Sequence, residues 1–255
     1  MNDLAPDDAE PLTPLVWDLE DSRVLTFVSD HVQSRMDVRA PDALLLEYTR
    51  IMMGFLLHQS APQSIAMVGL GGGSLAKFCH RYLPHSRITV VEISLEVIAL
   101  RDAFAIPPDS ERFSVLQVDG AEFFRYNDTP FDVVLLDGFD ATGVPPALDT
   151  EQFYGDCLRA LRPGGVLVSN VHACNSDYLH TLERIQNVFG EAPLVVPCGQ
   201  GSNHLAFAIK GHAAPLQTFY EVRCPTGFDP GAWKSLLPSL ARVALTSRSR
   251  FVRYP

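Results

Sequence analysis

Cationic side chains are scarce in this chain of 255 residues: 20 Lys and Arg stand against 30 Asp and Glu, for a net charge of −10. Nucleic-acid-binding proteins carry the opposite balance, so no nucleic-acid partner is expected. Residues 1–21 hold seven carboxylates and no Lys or Arg, which leaves a net charge of only −3 on everything after them. The shortage of positive charge is therefore mostly local, and net charge alone does not argue for a cationic ligand. No apolar run approaches the ~18 residues of a membrane-spanning helix, so no membrane partner is expected. The first residues are acidic and include Pro6 and Pro11, where a secretory signal would place basic and then apolar residues. Cysteine is sparse: Cys79, Cys157, Cys174, Cys198 and Cys224 are odd in number and form no Cys-x-x-Cys. Such spacing predicts reduced thiols and a cytoplasmic location. Metal-ligand spacing is lacking too. Cys79-His80 with His85, and His172 with Cys174, come nearest, and neither supplies a tetrahedral set, so no metal is expected.

What is present is a globular composition, 47% hydrophobic and 20% charged, in a chain long enough for a sizeable core. Residues 1–13 read as a flexible acidic tail. Residues 14–60 form an N-terminal unit. Its short segments at 14–19, 23–28 and 32–38 predict a β-hairpin or meander. Pro41-Asp42 then predicts the opening of a helix, with Leu44, Leu45, Tyr48, Ile51, Met52, Phe55 and Leu56 on one face.

From 61 to 212 the pattern alternates. Apolar strands are predicted at 64–68, 87–92, 113–118, 132–137 and 165–170, with helices at 73–83, 94–104, 120–126 and 150–161 between them. That alternation indicates a parallel sheet covered on both faces. Pro193–Pro197 and His204–Ile209, joined by Cys198-Gly-Gln-Gly-Ser-Asn203, predict a terminal hairpin. The whole resembles a Rossmann-like α/β sheet of class I methyltransferase type, whose last strand is antiparallel. A short N-terminal β region precedes it and a C-terminal appendage, 213–255, follows it. The last fifteen residues carry Arg242, Arg248, Arg250 and Arg253 and no acid, which suits either an acidic partner surface or a solvated face.

Three features fall at the carboxyl ends of successive strands. Gly69-Leu-Gly-Gly-Gly-Ser74 follows the first and opens a helix, where glycines let backbone approach a ligand and the helix start presents free N–H groups. No Lys follows, so it is not a P-loop, and Ala76 spoils a nucleophile elbow. Glu92 ends the second strand, where a carboxylate accepts from both ribose hydroxyls. Asp119-Gly120 follows the third, where an acid can accept from an adenine amine. Singly, each residue could merely shape a turn or cap a helix. As a set they predict an adenosine-type ligand in one crevice. The fourth strand ends in Asp137-Gly-Phe-Asp140, and Gly143 with Pro145-Pro146 continues as a loop able to cover the crevice. A carboxylate pair there suits an amine nucleophile, orienting it and taking its proton. Strand and turn capping is the alternative role.

On these residues the chain resembles the spermidine synthase, or polyamine aminopropyltransferase, family from about Val32 to Ile209. Val32-Gln33 and Tyr48 match the segment before and within the family's Tyr-bearing helix. Val68–Ser74 matches its Gly-rich loop, Val91-Glu92-Ile93 its ribose segment and Val118-Asp119-Gly120 its adenine segment. Asp137–Asp140 matches its Asp-Ser-Ser-Asp, and Phe153-Tyr154 with Leu161–Val166 continues the register. The resemblance implies Gln33, Gly69, Gly71, Gly73, Glu92, Asp119, Gly120 and Asp137 around the donor. It makes Asp137 and Asp140 catalytic, with Tyr48 and Asp140 on the amine acceptor. It also implies a homodimer. Several positions differ. Gly72 stands where the family has an Asp that meets the amino end of decarboxylated S-adenosylmethionine and repels the carboxylate of S-adenosylmethionine. Thr49-Arg50 replaces His/Gln-Glu, Gly138-Phe139 replaces two Ser, and the late loop lacks the family's Tyr. Three readings stand at this point: aminopropyl transfer from decarboxylated S-adenosylmethionine to a small-molecule amine, methyl transfer from S-adenosylmethionine, and a non-catalytic nucleoside-binding protein. A dehydrogenase fits less well, because the Asp137–Asp140 pair has no role in hydride transfer.

Overall fold

The computed structural model describes residues 13–27, 32–139, 143–199, 201–211 and 224–251. Apart from Thr13, the expected tail lies outside the described residues, as do Asp140 and Arg253. The predicted meander is present as a three-stranded antiparallel sheet of β1 (Leu15–Asp18), β2 (Ser22–Thr26) and β3 (Val32–Asp37). Arg23 on β2 pairs with Asp18 and reaches across to the Ala103 carbonyl at 2.5 Å, tying the small sheet to the main domain.

The helix expected from Pro41-Asp42 begins later, as α1 (Glu47–Met52), and continues as a 3-10 turn over Met53–Leu57. The cause is local hydrogen bonding. The Asp37 carboxylate accepts from the Arg39 and Ala40 amides. The Arg50 guanidinium then donates to the Leu44 and Leu45 carbonyls at 2.6 and 2.9 Å. Those carbonyls are satisfied by a side chain, in place of the amides of an earlier helical turn.

The main sheet contains β4 (Ser64–Val68), β5 (Arg87–Glu92), β6 (Phe113–Gln117), β7 (Phe131–Leu136), β8 (Leu161–His172), β9 (Leu194–Pro197) and β10 (Asn203–Ile209). Their order is β6-β5-β4-β7-β8-β10-β9, with β4 to β8 parallel and β10 antiparallel to both its neighbours. Every residue of β4 is buried, as expected of a strand covered on both faces. The covering helices are α2 (Ser74–Tyr82), α3 (Leu95–Ala99), α4 (Gly120–Tyr126), α5 (Glu151–Ala160) and α6 (Tyr178–Phe189). Ser94, Asp119 and Thr150 cap α3, α4 and α5, each accepting a backbone N–H of the first turn. The helix predicted to reach residue 104 stops at Ala99. The chain then turns through Ala105, which sits at φ +51°.

The C-terminal stretch contributes α7 (Pro230–Phe251), whose Trp233, Leu236, Leu240, Val243 and Ala244 are buried in the main core. A Cβ on Gly54 would sit 2.8 Å from Val243 Cγ2 and 3.1 Å from Phe207, so a glycine is what lets α7 approach. Arg242 pairs with Glu47 of α1 at 2.7 Å, which places that member of the basic C-terminal run inside the chain's own fold. No helix among the described residues is long and apolar enough to cross a membrane. Since Leu240 is fully buried in this contact, Leu240→Ala is expected to lower the unfolding free energy by about 2–4 kcal/mol. Urea denaturation measures this, and a loss well under 1 kcal/mol would show α7 to be peripheral.

Candidate functional site

The chain runs outward from β4 to β5 and β6 and then returns to β7 on the other side of β4. A crevice opens where the order reverses, beyond the carboxyl ends of the strands. It encloses about 530 Å3 and is lined by Gln33, Tyr48, Gly69, Gly71, Glu92, Asp119, Gly120 and Asp137 among others. Eight of the expected positions are thus brought together from β3, α1 and four strand ends. Asp140 lies outside the described residues.

The Gly-rich loop is shaped by close approach. Gly69 sits at φ +91°, and a Cβ there would lie 2.9 Å from the Asp137 carbonyl carbon. That carbonyl can come so near because β4 and β7 are bonded to their ends, the Asp137 amide donating to the Val68 carbonyl at 3.0 Å. Gly73 does not line the crevice. It is the left-handed N-cap of α2, pressed against Ile106.

Glu92 accepts from the Leu70 amide at 2.8 Å through one oxygen and from the Ser94 amide at 2.9 Å through the other. Each oxygen keeps a second lone pair for a ligand hydroxyl. Asp119 caps α4 through Oδ1, which accepts from the Glu122 amide at 2.9 Å. It nevertheless lines the crevice, so the carboxylate that caps α4 also forms part of the crevice wall.

Asp137 is the chemical centre of the wall. The register sets Leu136 opposite Ser169, which brings the next residues, Asp137 and Asn170, side by side. Asn170 donates to Asp137 Oδ1 at 2.8 Å, and the Tyr48 hydroxyl donates to Oδ2 at 3.1 Å. Burial pushes the carboxyl up to about 6, against the lowering effect of those two hydrogen bonds. Burial, followed by the Asp137 charge, keeps the Tyr48 hydroxyl protonated well above its ordinary range. Behind Asn170, Asn203 donates to its carbonyl at 2.9 Å and lies 3.1 Å from His172 Nε2. His172 stacks on Phe139, with centroids 4.5 Å apart. From the sequence, Phe139 stands out only as a departure from the family's paired Ser and Asn203 only as the end of a hairpin loop, Asn170 is not singled out, and His172 is considered only for metal binding. The available signal was an Asn ending a run of apolar strand residues, since a polar side chain there needs a partner. Among the described residues, no group of three or more His, Cys, Asp or Glu is placed to hold a metal.

Two expected departures take on a physical form. A Cβ on Gly72 would meet Ser34 Oγ at 2.5 Å and Phe104 Cδ1 at 2.9 Å. Ser34 and the fully buried Phe104 therefore fill the space that a larger residue would need. Arg50, expected as a cation near the site, is absent from the crevice wall because it holds the Leu44 and Leu45 carbonyls instead.

Residues 45–198 match the family model described as spermine/spermidine synthase domain. A polyamine aminopropyltransferase of Chromobacterium violaceum is 39% identical over 189 residues, covering 74% of this chain and 72% of that protein. The structure of a probable spermidine synthase from Corynebacterium glutamicum superposes with a TM-score of 0.66 at 24% identity, over 78% of this chain and 77% of that one. Human methyltransferase-like protein 13 in complex with SAH gives 0.57 at 22% identity, over 78% and 93%. The two structural likenesses establish the shared sheet.

The raised Asp137 carboxyl has a consequence for stability. The native state binds this proton more tightly than the unfolded chain. Stability is therefore lost as pH rises from about 4 to about 6, a cost on the order of 3 kcal/mol above that window. Asp137→Asn removes the desolvated charge, and the Tyr48 hydroxyl can turn to accept. The variant is expected to melt several degrees above the parent at pH 7.5 and level with it near pH 4.5. Thermal unfolding at the two pH values checks this; an equal difference at both would mean that the carboxyl titrates normally.

Proposed function

The chain belongs to the spermine/spermidine synthase family, and from that premise we propose that its crevice transfers an aminopropyl group from decarboxylated S-adenosylmethionine to a small amine. The protein is a transferase. The observation that carries the reaction assignment is the half-buried Asp137 carboxylate, held between Tyr48 and Asn170 in the wall of the strand-end crevice.

In this reading the donor lies along the strand ends. Gly69, Gly71 and Gly73 shape the loop under it. The free lone pairs of Glu92 accept the ribose hydroxyls, Asp119 accepts the adenine amine, and Gly120 keeps that wall low. Gln33 closes the crevice from β3. The acceptor lies against Tyr48 and Asp137, and the resemblance assigns Asp140 to it as well. Its neutral nitrogen attacks the methylene carbon attached to the sulfonium. The new C–N bond forms as the C–S bond breaks, sulfur keeps the electron pair, and methylthioadenosine leaves. Asp137 takes the proton from the nitrogen, and with its carboxyl near 6 it is ionised and ready to do so at neutral pH. Holding nucleophile and sulfonium in line supplies much of the acceleration. No residue in this step calls for a metal.

We further place the enzyme in the cytoplasm as a homodimer. All five cysteines are free. The edge strand β1 exposes Leu15 and Trp17 on one face and Val16 on the other, an apolar edge suited to a second copy. Light scattering at micromolar concentration is expected to give twice the chain mass.

Calorimetry and product analysis test the reaction. Decarboxylated S-adenosylmethionine is expected to bind, and methylthioadenosine to appear with a diamine. Binding of S-adenosylmethionine alone, with S-adenosylhomocysteine as product, would make the protein a methyltransferase. Asp137→Asn is expected to keep donor affinity within about threefold and cut turnover by about a hundredfold or more; undiminished turnover would place the base elsewhere.

A further inference from the structure

A desolvated carboxylate acts as a base only if it stays ionised and turns a lone pair toward the nucleophile. Among the described residues, two donors hold Asp137, Tyr48 from α1 and Asn170 from β8. Asn170 is 3% exposed and could in principle sit with its amide either way round. Its surroundings allow one orientation. On one side the Asp137 carboxylate requires a donor. On the other, the Asn203 amide nitrogen, 2.9 Å from the Asn170 carbonyl, requires an acceptor. Asn203 is fixed in turn, because its nitrogen also lies 3.1 Å from His172 Nε2. The second hydrogen of that nitrogen is then directed at His172 Nε2, an acceptor in the tautomer that leaves this ring nitrogen unprotonated. Cross-strand pairing sets Asn203 opposite His172, which holds the last two members in register.

We propose that Asn170 is a positioning residue for the transfer step, oriented by Asn203 and anchored by His172, and that this amide chain keeps Asp137 ionised and correctly turned. The inference rests on the reading of Asp137 as the base. Among the described residues, the other titratable groups that line the crevice are Tyr48, with Cys198 acting on it, His172, and Glu92 and Asp119 at the neighbouring strand ends. Tyr48 remains a neutral donor throughout the working range, so the hydrogen bond from Asn170 is the one that substitution at β8 and β10 can remove selectively.

The test is a titration of Asp137 in protein labelled with carbon-13 at the aspartate carboxyls, the resonance being assigned through Asp137→Asn. Asn170→Ala removes a donor to the charged form and is expected to raise the midpoint by about one pH unit. Asn203→Ala frees the Asn170 amide to turn and is expected to raise it by less. With decarboxylated S-adenosylmethionine and a diamine, Asn170→Ala is expected to lower kcat about tenfold and leave the donor KM within about threefold. The acid limb of its kcat profile should move up with the titration midpoint. An unmoved midpoint in folded Asn170→Ala overturns the proposal. If that variant does not fold, an unmoved midpoint in Asn203→Ala overturns it. Should the parent protein release no methylthioadenosine, the aminopropyl reading fails, while the titration still decides whether the amide chain holds Asp137.

Discussion

The junction between β4 and β7 is the constraint on which the rest of the site depends. The Asp137 amide donates to the Val68 carbonyl, and the Asp137 carbonyl presses on Gly69 where a side chain would otherwise stand. Two strands that are neighbours in the sheet are separated in sequence by β5 and β6. Their closeness therefore opens the crevice between the chain's outward and returning halves. One glycine does two things at this point. It starts the turn that leads into α2, and it allows the carboxylate at the end of β7 to stand directly beside the Gly-rich loop. The cost falls on Asp137, half-buried in the crevice wall, whose carboxyl is desolvated enough to hold its proton more tightly than usual. Tyr48 and Asn170 offset part of that cost, and each comes from a different side of the crevice.

The sheet was legible because its strands are short, apolar and interrupted by helix caps. Ser94, Asp119 and Thr150 mark helix starts in the sequence and cap them in the structure. The crevice-facing glycines and acids were legible for the same reason, since their place at strand ends fixes where they point. Two helices escaped notice for different reasons. In α6, Tyr178, Thr181, Leu182, Ile185 and Val188 recur at helical spacing, a period present in the sequence but passed over beside the stronger strands. In α7 the spacing is interrupted by Pro238, which lies inside the helix and ordinarily argues against one. The start of α1 could not be placed from periodicity. It depends on Arg50 reaching back to two carbonyls, a tertiary choice that residue spacing does not encode.

The Gly72 position shows how a departure in one residue is absorbed by others. The space beside it is occupied by the Ser34 hydroxyl from β3 and the Phe104 ring from the turn after α3. Lys77, buried on α2, donates to the Phe104 carbonyl at 2.7 Å, and Arg23 holds the carbonyl of Ala103. The turn over 103–106 is thus fixed from two sides and supports the Gly-rich loop from beneath. A carboxylate introduced at Gly72 alone would meet a fully buried ring, so any change of charge there has to be accompanied by a change at Ser34 or Phe104. The polarity of this corner of the crevice is set by Ser34 and Ser74, whose hydroxyls lie 3.4 Å apart.

The Tyr48 side of the crevice is framed partly by residues beyond the segment that matches the family model. Tyr48 follows Glu47, whose two oxygens accept from Arg242 of α7 at 2.7 Å and from the Gly199 amide at 2.9 Å. One carboxylate therefore joins α1, the loop after β9 and the C-terminal helix. The matched segment ends at residue 198, yet Gly201, Ser202 and Asn203 line the crevice and α7 braces the helix that carries Tyr48. The ion pair is only partly shielded from solvent, so its electrostatic worth is modest. Its geometric effect is larger, because Arg242 sits on a helix already anchored by Trp233, Leu236, Leu240 and Val243. Apolar burial fixes the helix, the helix fixes the guanidinium, and the guanidinium fixes Glu47. The orientation of the Tyr48 hydroxyl toward Asp137 follows from that sequence of contacts, which is how a C-terminal extension comes to bear on a carboxylate at the end of β7.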